Sequence, residues 1–336
     1  MIRRELHAVA IALLASIAIG SALMLVVGQS PAGVWWTMIE RTFGHADGIG
    51  EWLFRATGPL LTGLGVSVAL DAGLFNIGGE AQLTAGVVGC AVVGAALPHG
   101  TPAIVALPLC IAAAAAGGGA IGALIGAMRV LRGAHEVITS IMLDKIVAGA
   151  ALWLGNDLLF VPGTTTGPAI APGAELPRLG LGGSPANAAI AIAVAAVAIV
   201  WWVRARTTWG QALRAVGRDP DAARSVGISV GAVRLLAMTF GGALAGLAAT
   251  NYVLGQEHVF QEGLGRGVGF IGITAALLGR LHPVGVALAA LLLGFLSAGG
   301  LQVADRVPKE LTELLQGIVL LAIAIAVPWV RRREAA

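Results

Sequence analysis

Long apolar segments separated by short polar stretches follow one another along nearly the whole chain. Apolar runs of about 18 residues or more are typical of helices that cross a lipid bilayer. The first run is longer than a usual signal-peptide core and no clear cleavage site follows it, so we expect it to be retained. The pattern predicts an all-α integral membrane protein, a single transmembrane domain over residues 1–336. Its spans number about ten, with both termini in the cytoplasm: 8–28, 56–71, 77–97, 102–127, 137–154, 186–203, 235–254, 267–280, 284–300 and 313–330.

The charges are sparse and unevenly distributed between the two sets of loops. Only 12% of the residues are charged and 57% are hydrophobic, which excludes a soluble enzyme of this length. In the predicted arrangement, 14 of the 21 Lys and Arg residues lie on the cytoplasmic side, six of them within 204–234. This asymmetry is the rule for multispanning proteins. The basic residues are scattered and lack accompanying aromatics, so we expect no nucleic-acid partner.

A weak repeat relates 95–119 to 276–300, with Pro102 aligned to Pro283. The two copies would enter the membrane from opposite sides, as in transporters built from inverted repeats. Spans 2–5 would then mirror spans 7–10. Matches of this kind also arise by chance in sequence rich in Ala, Leu and Gly.

Four polar side chains interrupt the apolar pattern around spans 2 and 3, together with several glycines: Asp71, Asn76, Glu80 and Gln82. A carboxylate near the bilayer centre costs roughly 2.5–3.5 kcal/mol on insertion scales, so it normally faces a cavity or a partner. One interpretation is a broken helix that lines a substrate path. The other is a cytoplasmic hairpin whose polar groups are solvated or cap helix ends.

A second polar face is predicted on the fifth span. Glu136, Ser140 and Asp144 are spaced by four residues, which places them on one side of a helix. Lys145 follows Asp144 but lies about 100° around the helix, so the two side chains need not touch. Asp144 and Lys145 are candidates for a functional role within the membrane, or else belong to a structural ion pair.

Several common site motifs are missing from the sequence. Neither Lys145 nor Lys309 lies in a P-loop motif, and no catalytic grouping is found. The six histidines lack the spacing of metal ligands. We therefore expect no ATPase site, catalytic residue, metal or bound cofactor in this chain. Gly118, Gly122 and Gly126 instead predict a close helix-packing face.

The inner loop 204–234 contains a short helix with complete end signals. Asp219 suits the N-cap, Pro220 the first helical position and Asp221 the first turn, while Gly227 suits a left-handed terminating residue. A helix this short is unstable alone in water. We expect it to dock on its own bundle or on another subunit.

Three segments carry a resemblance to a known family: GLFNIGGEAQL (73–83), EVITSIMLD (136–144) and ALRAVGRDPDAARSVGIS (212–229). They resemble permease subunits of ABC importers of the branched-chain amino acid, simple sugar and nucleoside type. The FNIG motif is closest to the nucleoside and simple-sugar branch. Where that branch tends to have Leu-Asn-Tyr, this chain has Leu143-Asp144-Lys145, which adds two charges to a span.

The resemblance implies an ATP-driven importer in the cytoplasmic (inner) membrane that carries a small polar solute, a nucleoside or a simple sugar. ATP would be used by a separate ABC ATPase subunit. The pore would be a homo- or heterodimer with a second permease subunit, supplied by an extracytoplasmic solute-binding protein. The expected ATPase-coupling residues are Gly217, Arg218, Asp219, Pro220, Asp221, Ala222, Ala223 and Gly227. The expected translocation path includes Phe75, Asn76, Glu80, Gln82, Ser140, Asp144 and Lys145.

The alternative is a secondary transporter driven by an ion or proton gradient. It would use the charged residues in or against the spans as relay groups: Asp71, Glu80, Asp144 and Lys145. Such a protein needs no partner ATPase, so the two hypotheses differ in their source of energy.

Overall fold

The computed structural model describes residues 2–307 and, beyond them, residues 314, 317, 318 and 321. Two short strands, β1 (Thr166–Ala169) and β2 (Val259–Gln261), pair in antiparallel fashion. All other regular structure in the described residues is helical. The α-helices are α1 (Ile2–Val26), α2 (Pro31–Phe43), α3 (Ala46–Asp71), α4 (Gly79–Ala96), α5 (Ala103–Arg132), α6 (Glu136–Leu154), α7 (Ala189–Arg206), α8 (Thr208–Arg218), α9 (Pro220–Ser225), α10 (Val230–Leu247), α11 (Ala249–Tyr252), α12 (Val268–Leu278) and α13 (Pro283–Gln302).

The described residues include seven helical segments that are long and apolar enough to cross a membrane. The pair Leu14–Val26 and Pro31–Phe43 passes the same test together but is bent by 114°, as in a broken span or a re-entrant loop. The prediction of a helical membrane protein is therefore confirmed. The seven segments are Ala46–Asp71, Gly79–Ala96, Ala103–Arg132, Glu136–Leu159, Ala189–Arg206, Val230–Glu257 and Pro283–Gln302.

Two of the predicted spans have a different outcome. The span predicted over 267–280 is wrong as a full crossing, because α12 has 11 residues and reaches only about 16 Å of a core about 30 Å thick. Left-handed backbone at Gly267, before the helix, and at Arg280 and Leu281, after it, limits its length. The span predicted over 313–330 lies outside the described residues apart from four isolated positions.

The described residues fall into two compact units. The first comprises residues up to Ala56, 181–184 and those from Leu291 onward. In it, the indole N–H of Trp52 donates to the carbonyl of Leu291 at 2.7 Å. The second comprises Thr57–Gly180 and Pro185–Ala290 and contains every candidate site residue.

Helices α5 and α10 cross at backbone contact inside the second unit. A Cβ atom on Gly122 would lie 2.1 Å from the carbonyl oxygen of Met238, and one on Gly118 would lie 2.3 Å from that of Gly242. Only glycine permits such an approach. In lipid there is no hydrophobic effect between helices, so close packing of this kind drives their association. The predicted glycine face is confirmed, because Gly126 also packs against Met238.

Candidate functional site

Glu80 joins the first turns of two helices, α4 and α12. Its carboxylate accepts the backbone N–H of Gly267 at 2.5 Å and that of Gly269 at 2.9 Å. These donors belong to the start of α12, where N–H groups lack partners within the helix and the dipole favours a negative charge. The approach is close because a Cβ on Gly269 would lie 2.3 Å from the nitrogen of Glu80. Glu80 therefore fixes the beginning of α12 against the beginning of α4.

Seven non-helical residues, 72–78, separate α3 from α4, and we call this segment the α3–α4 break. Helix α4 begins directly after it, at the buried Gly79. Gly73 has φ +73 in the break, and the side-chain oxygen of Asn76 accepts the N–H of Gly78 at 3.0 Å. Asn76 and Gln82 exchange two further hydrogen bonds, of 3.0 and 3.1 Å, and both are fully buried. Because Asn76, Glu80 and Gln82 are buried, the form of the hairpin in which these groups are solvated is wrong. The part of that alternative in which polar groups cap helix ends is confirmed. Helices α3 and α4 are each of spanning length, and the substrate path along the segment between them stays a prediction.

A cavity of about 330 Å³ lies between α4, α6 and the loop that follows β2. This volume is at the lower end of the range for small-molecule sites. The backbone of the loop is left-handed at Gly263, Gly265 and Gly267. Five of the fifteen lining residues are charged: Glu80, Asp144, Lys145, Glu262 and Arg266. Such a concentration of charge within a membrane protein indicates a hydrated or ligand-binding cavity.

Lys145 is the most exposed charge at the cavity. Its ammonium lies 2.9 Å from a carboxylate oxygen of Asp144, and its side chain is 80% exposed. Asp144 and Lys145 therefore form an ion pair, although their spacing on the helix does not require one. Asp144 lies about 12 Å along α6 from Glu136, well inside the span. An exposed ammonium at this depth is costly in lipid, so this face of α6 meets water or another protein.

The remaining predicted path residues lie away from the cavity lining. Phe75 is half-buried in the α3–α4 break, and Ser140 is buried between Glu136 and Asp144. The predicted polar face of α6 is confirmed as a buried face, and the Glu136 carboxylate lies 3.3 Å from Nε of Arg129. In the part of the chain that the structure describes, no group of three His, Cys, Asp or Glu residues is placed to hold a metal ion.

Helix α9 has the end signals that the sequence predicts. Asp219 accepts the N–H groups of Asp221 and Ala222, both at 3.0 Å, and Pro220 occupies the first turn. Gly227 has φ +84 just after the helix. Ala223 is buried, so α9 docks on its own bundle through that residue. The other predicted coupling residues are at least partly exposed: Gly217, Arg218, Asp219, Pro220, Asp221, Ala222 and Gly227.

A buried ion pair connects this region to α3. The guanidinium of Arg204 donates to Asp71 Oδ1 at 2.9 Å, its Nε lies 2.8 Å from Oδ2, and it also donates to the carbonyl of Leu281. Arg214, on α8, donates in turn to the carbonyl of Arg204. A Cβ on Gly217 would lie 2.1 Å from the carbonyl oxygen of Asp71. The end of α8 therefore contacts the chain where the α3–α4 break begins.

Sequence reasoning missed the loop over 259–269 as a part of the site. Glu262 and Arg266 form an ion pair of 2.7 Å there, and Gly267 and Gly269 bind Glu80. The available signal was glycine at every second position from 263 to 269, beside Glu262 and around Arg266, because closely spaced glycines mark irregular backbone.

Comparison with known proteins gives consistent results. Residues 48–324 match the family described as branched-chain amino acid transport system, permease component. The guanosine ABC transporter permease protein NupP of Bacillus subtilis is 35% identical over 96% of this chain and 95% of its own. The nucleoside ABC transporter permease protein NupB of Lactococcus lactis is 31% identical, over 94% and 89%. The glucose ABC transporter permease protein TsgB13 of Haloferax volcanii is 34% identical, over 92% and 84%.

No solved structure matches the chain. The family match covers the α3–α4 break, the charged cavity and α9. It also covers six of the seven apolar segments of spanning length in full, and the first of them from residue 48 onward. This chain belongs to the permease-component family of branched-chain amino acid transport systems.

Proposed function

We propose that this chain is the membrane subunit of an ATP-driven importer for a nucleoside or a simple sugar. The observation that carries the proposal is the cavity in which Glu80, Asp144 and Lys145 meet. Carboxylates accept hydrogen bonds from the hydroxyl groups of such solutes, and an ammonium donates to their oxygens. The names of the relatives, which specify guanosine, nucleoside and glucose, agree with this chemistry.

The energy would come from an ABC ATPase subunit that binds at α9, in the cytoplasmic membrane. Movement of α9 and α8 would pass through Gly217 and the Asp71–Arg204 pair to the α3–α4 break. The break leads directly to Glu80, whose carboxylate holds the start of α12. Closure of the ATPases would thereby shift Glu80 and the start of α12, and so alter the shape of the cavity that they line. Asn76 and Gln82 act in this scheme by bracing the break, and no solute contact is assigned to them.

A second permease subunit would face the exposed side of α6, because that side carries Lys145. A path between two such subunits would keep the ammonium in water and away from lipid. An extracytoplasmic binding protein would deliver the solute to this path. The structure is compatible with identical or different permeases.

We also propose that the chain contains an inverted repeat in which α4 and α5 correspond to α12 and α13. Two helical hairpins support the repeat. The α4–α5 turn ends at Pro102, directly before α5, and the α12–α13 turn ends at Pro283, the first residue of α13. The aligned prolines thus occupy matching places in the two hairpins.

Reconstitution separates the proposal from a gradient-driven transporter. We expect guanosine or glucose uptake into proteoliposomes only when the ATPase subunit, the binding protein and ATP are present, and we expect vanadate to inhibit it. The chain should also copurify with the ATPase. Uptake by the chain alone, driven by a pH or sodium gradient, would contradict the proposal.

Cysteine labelling tests whether Lys145 faces an aqueous path. The native Cys90 and Cys110 are both buried and should contribute little background. We expect a water-soluble thiol reagent to modify Lys145→Cys about tenfold faster than Val194→Cys, since only a thiol in water readily forms the reactive thiolate. Val194 is a matched control because it is 62% exposed on the apolar helix α7. Equal rates would place the α6 face in lipid.

A further inference from the structure

A second cavity, of about 420 Å³, lies where the end of α5 meets the start of α10 and the helix α9. Three guanidinium groups from these helices line it: Arg129, Arg224 and Arg234. The rest of the lining is mostly aliphatic and comes from Val130, Ile228, Ser229, Val230 and Gly231. The charged cavity beside Glu80 shares none of these residues. This second cavity therefore needs its own explanation.

The arginines of this cavity are incompletely neutralised. Arg129 is paired with the buried Glu136 at 3.3 Å, and Arg224 with Asp221 at 2.6 Å on the exposed side of α9. Arg234 makes no ion pair with any described residue, and its buried Nε has no hydrogen-bond partner there. A buried donor without a partner is unfavourable, so this group favours a ligand that can accept its hydrogen bond. The cluster thus has one positive charge in excess.

The arrangement fits one class of ligand, a phosphodiester. Guanidinium groups match the geometry of phosphate oxygens, which they bind through paired hydrogen bonds. The 18-residue helix α10 also begins here, and Ser229 makes no side-chain hydrogen bond to its first N–H groups. Such groups favour an anion in addition to the arginines. A phosphodiester carries a single negative charge, which equals the excess on the cluster.

We propose that this cavity binds the phosphate of an anionic phospholipid such as phosphatidylglycerol. The site lies at the end of the long apolar helix α5, where a headgroup is expected, and basic pockets between helix ends are known lipid sites. Val130 lines the cavity and is 37% exposed, so an acyl chain can follow the apolar surface of α5. Because Arg224 belongs to α9, the bound lipid would connect α9 to α5 and α10.

Native mass spectrometry of the full chain with its ATPase tests the proposal. The complex is reconstituted in nanodiscs of equal parts phosphatidylcholine and phosphatidylglycerol and then released. We expect the wild type to retain phosphatidylglycerol preferentially. Arg234→Gln should retain about tenfold less, as expected for the loss of charge-assisted hydrogen bonds. Arg234→Lys, which keeps the charge, should fall between the two.

The matched control is Arg132→Gln, which removes the same charge from the exposed last turn of α5 without altering the cavity lining. It should retain lipid as the wild type does, and both variants should keep the wild-type melting temperature. Equal retention in Arg132→Gln and Arg234→Gln would overturn the proposal. If the complex retains added inorganic phosphate and shows no preference for phosphatidylglycerol, the cavity binds a free anion. Loss of ATPase binding with unchanged lipid would assign it to an acidic group of that subunit. Each of these two outcomes also overturns the lipid proposal.

Discussion

Gly217→Val is expected to abolish ATP-driven uptake while the protein still inserts, binds its ATPase and hydrolyses ATP. The first side-chain carbon would lie 2.1 Å from the carbonyl oxygen of Asp71, and also 2.9 Å from its carbonyl carbon. No rotamer relieves an overlap with backbone, so the end of α8 must move away from α3. A displacement of about 1 Å can lower the rate of a geometry-dependent step about a hundredfold. We expect a loss of uptake of that order.

The measurement compares solute uptake with ATP hydrolysis in the same proteoliposomes. Gly100→Val is the control, because a Cβ at Gly100 would meet no atom within 4 Å. It should transport like the wild type. Unchanged uptake in Gly217→Val would mean that the contact between α8 and α3 has no part in coupling.

Glu80→Gln is expected to lower uptake at least about tenfold without reducing ATPase binding. Both carboxylate oxygens of Glu80 accept a backbone N–H, from Gly267 and from Gly269. An amide has one oxygen, so one N–H would face an NH₂ group and lose its acceptor. Leaving a buried donor unsatisfied costs about 1–3 kcal/mol. The start of α12 would then separate from α4, where the cavity lies.

The control for this variant is Glu175→Gln, an equal change of charge at an exposed residue outside the cavity. Copurification measures ATPase binding, and initial uptake rates measure transport. Normal uptake by Glu80→Gln would reduce Glu80 to a helix cap without a role in translocation.

The features predicted correctly from the sequence are those determined by neighbouring residues. The apolar runs locate most of the spanning helices, because a run of that length needs the bilayer as its solvent. The cap of α9 follows from Asp219 and Pro220 alone, and it forms as expected. Residues spaced by four on α6, such as Ser140 and Asp144, are buried on one face because helical periodicity requires it.

The features that were missed depend on contacts between distant parts of the chain. Glu80 and Gly267 are separated by 187 residues, and Asp71 and Arg204 by 133. No local pattern links such partners. The length of α12 was overestimated for a related reason. The apolar run extends to Leu278, and the predicted span adds Gly279 and Arg280, but the backbone at Arg280 is left-handed and hydropathy does not report backbone conformation.

The balance of charge in the cavity beside Glu80 determines which solutes can pass in either direction. Three carboxylates and two cationic groups line it: Glu80, Asp144, Glu262, Lys145 and Arg266. The excess is one negative charge, and Glu80 already occupies the end of α12 that would attract an anion. Nucleotides and sugar phosphates would be repelled, whereas their neutral precursors would not. A solute phosphorylated after uptake could then not leave by the same route. Phosphorylation in the cell would therefore retain the imported solute.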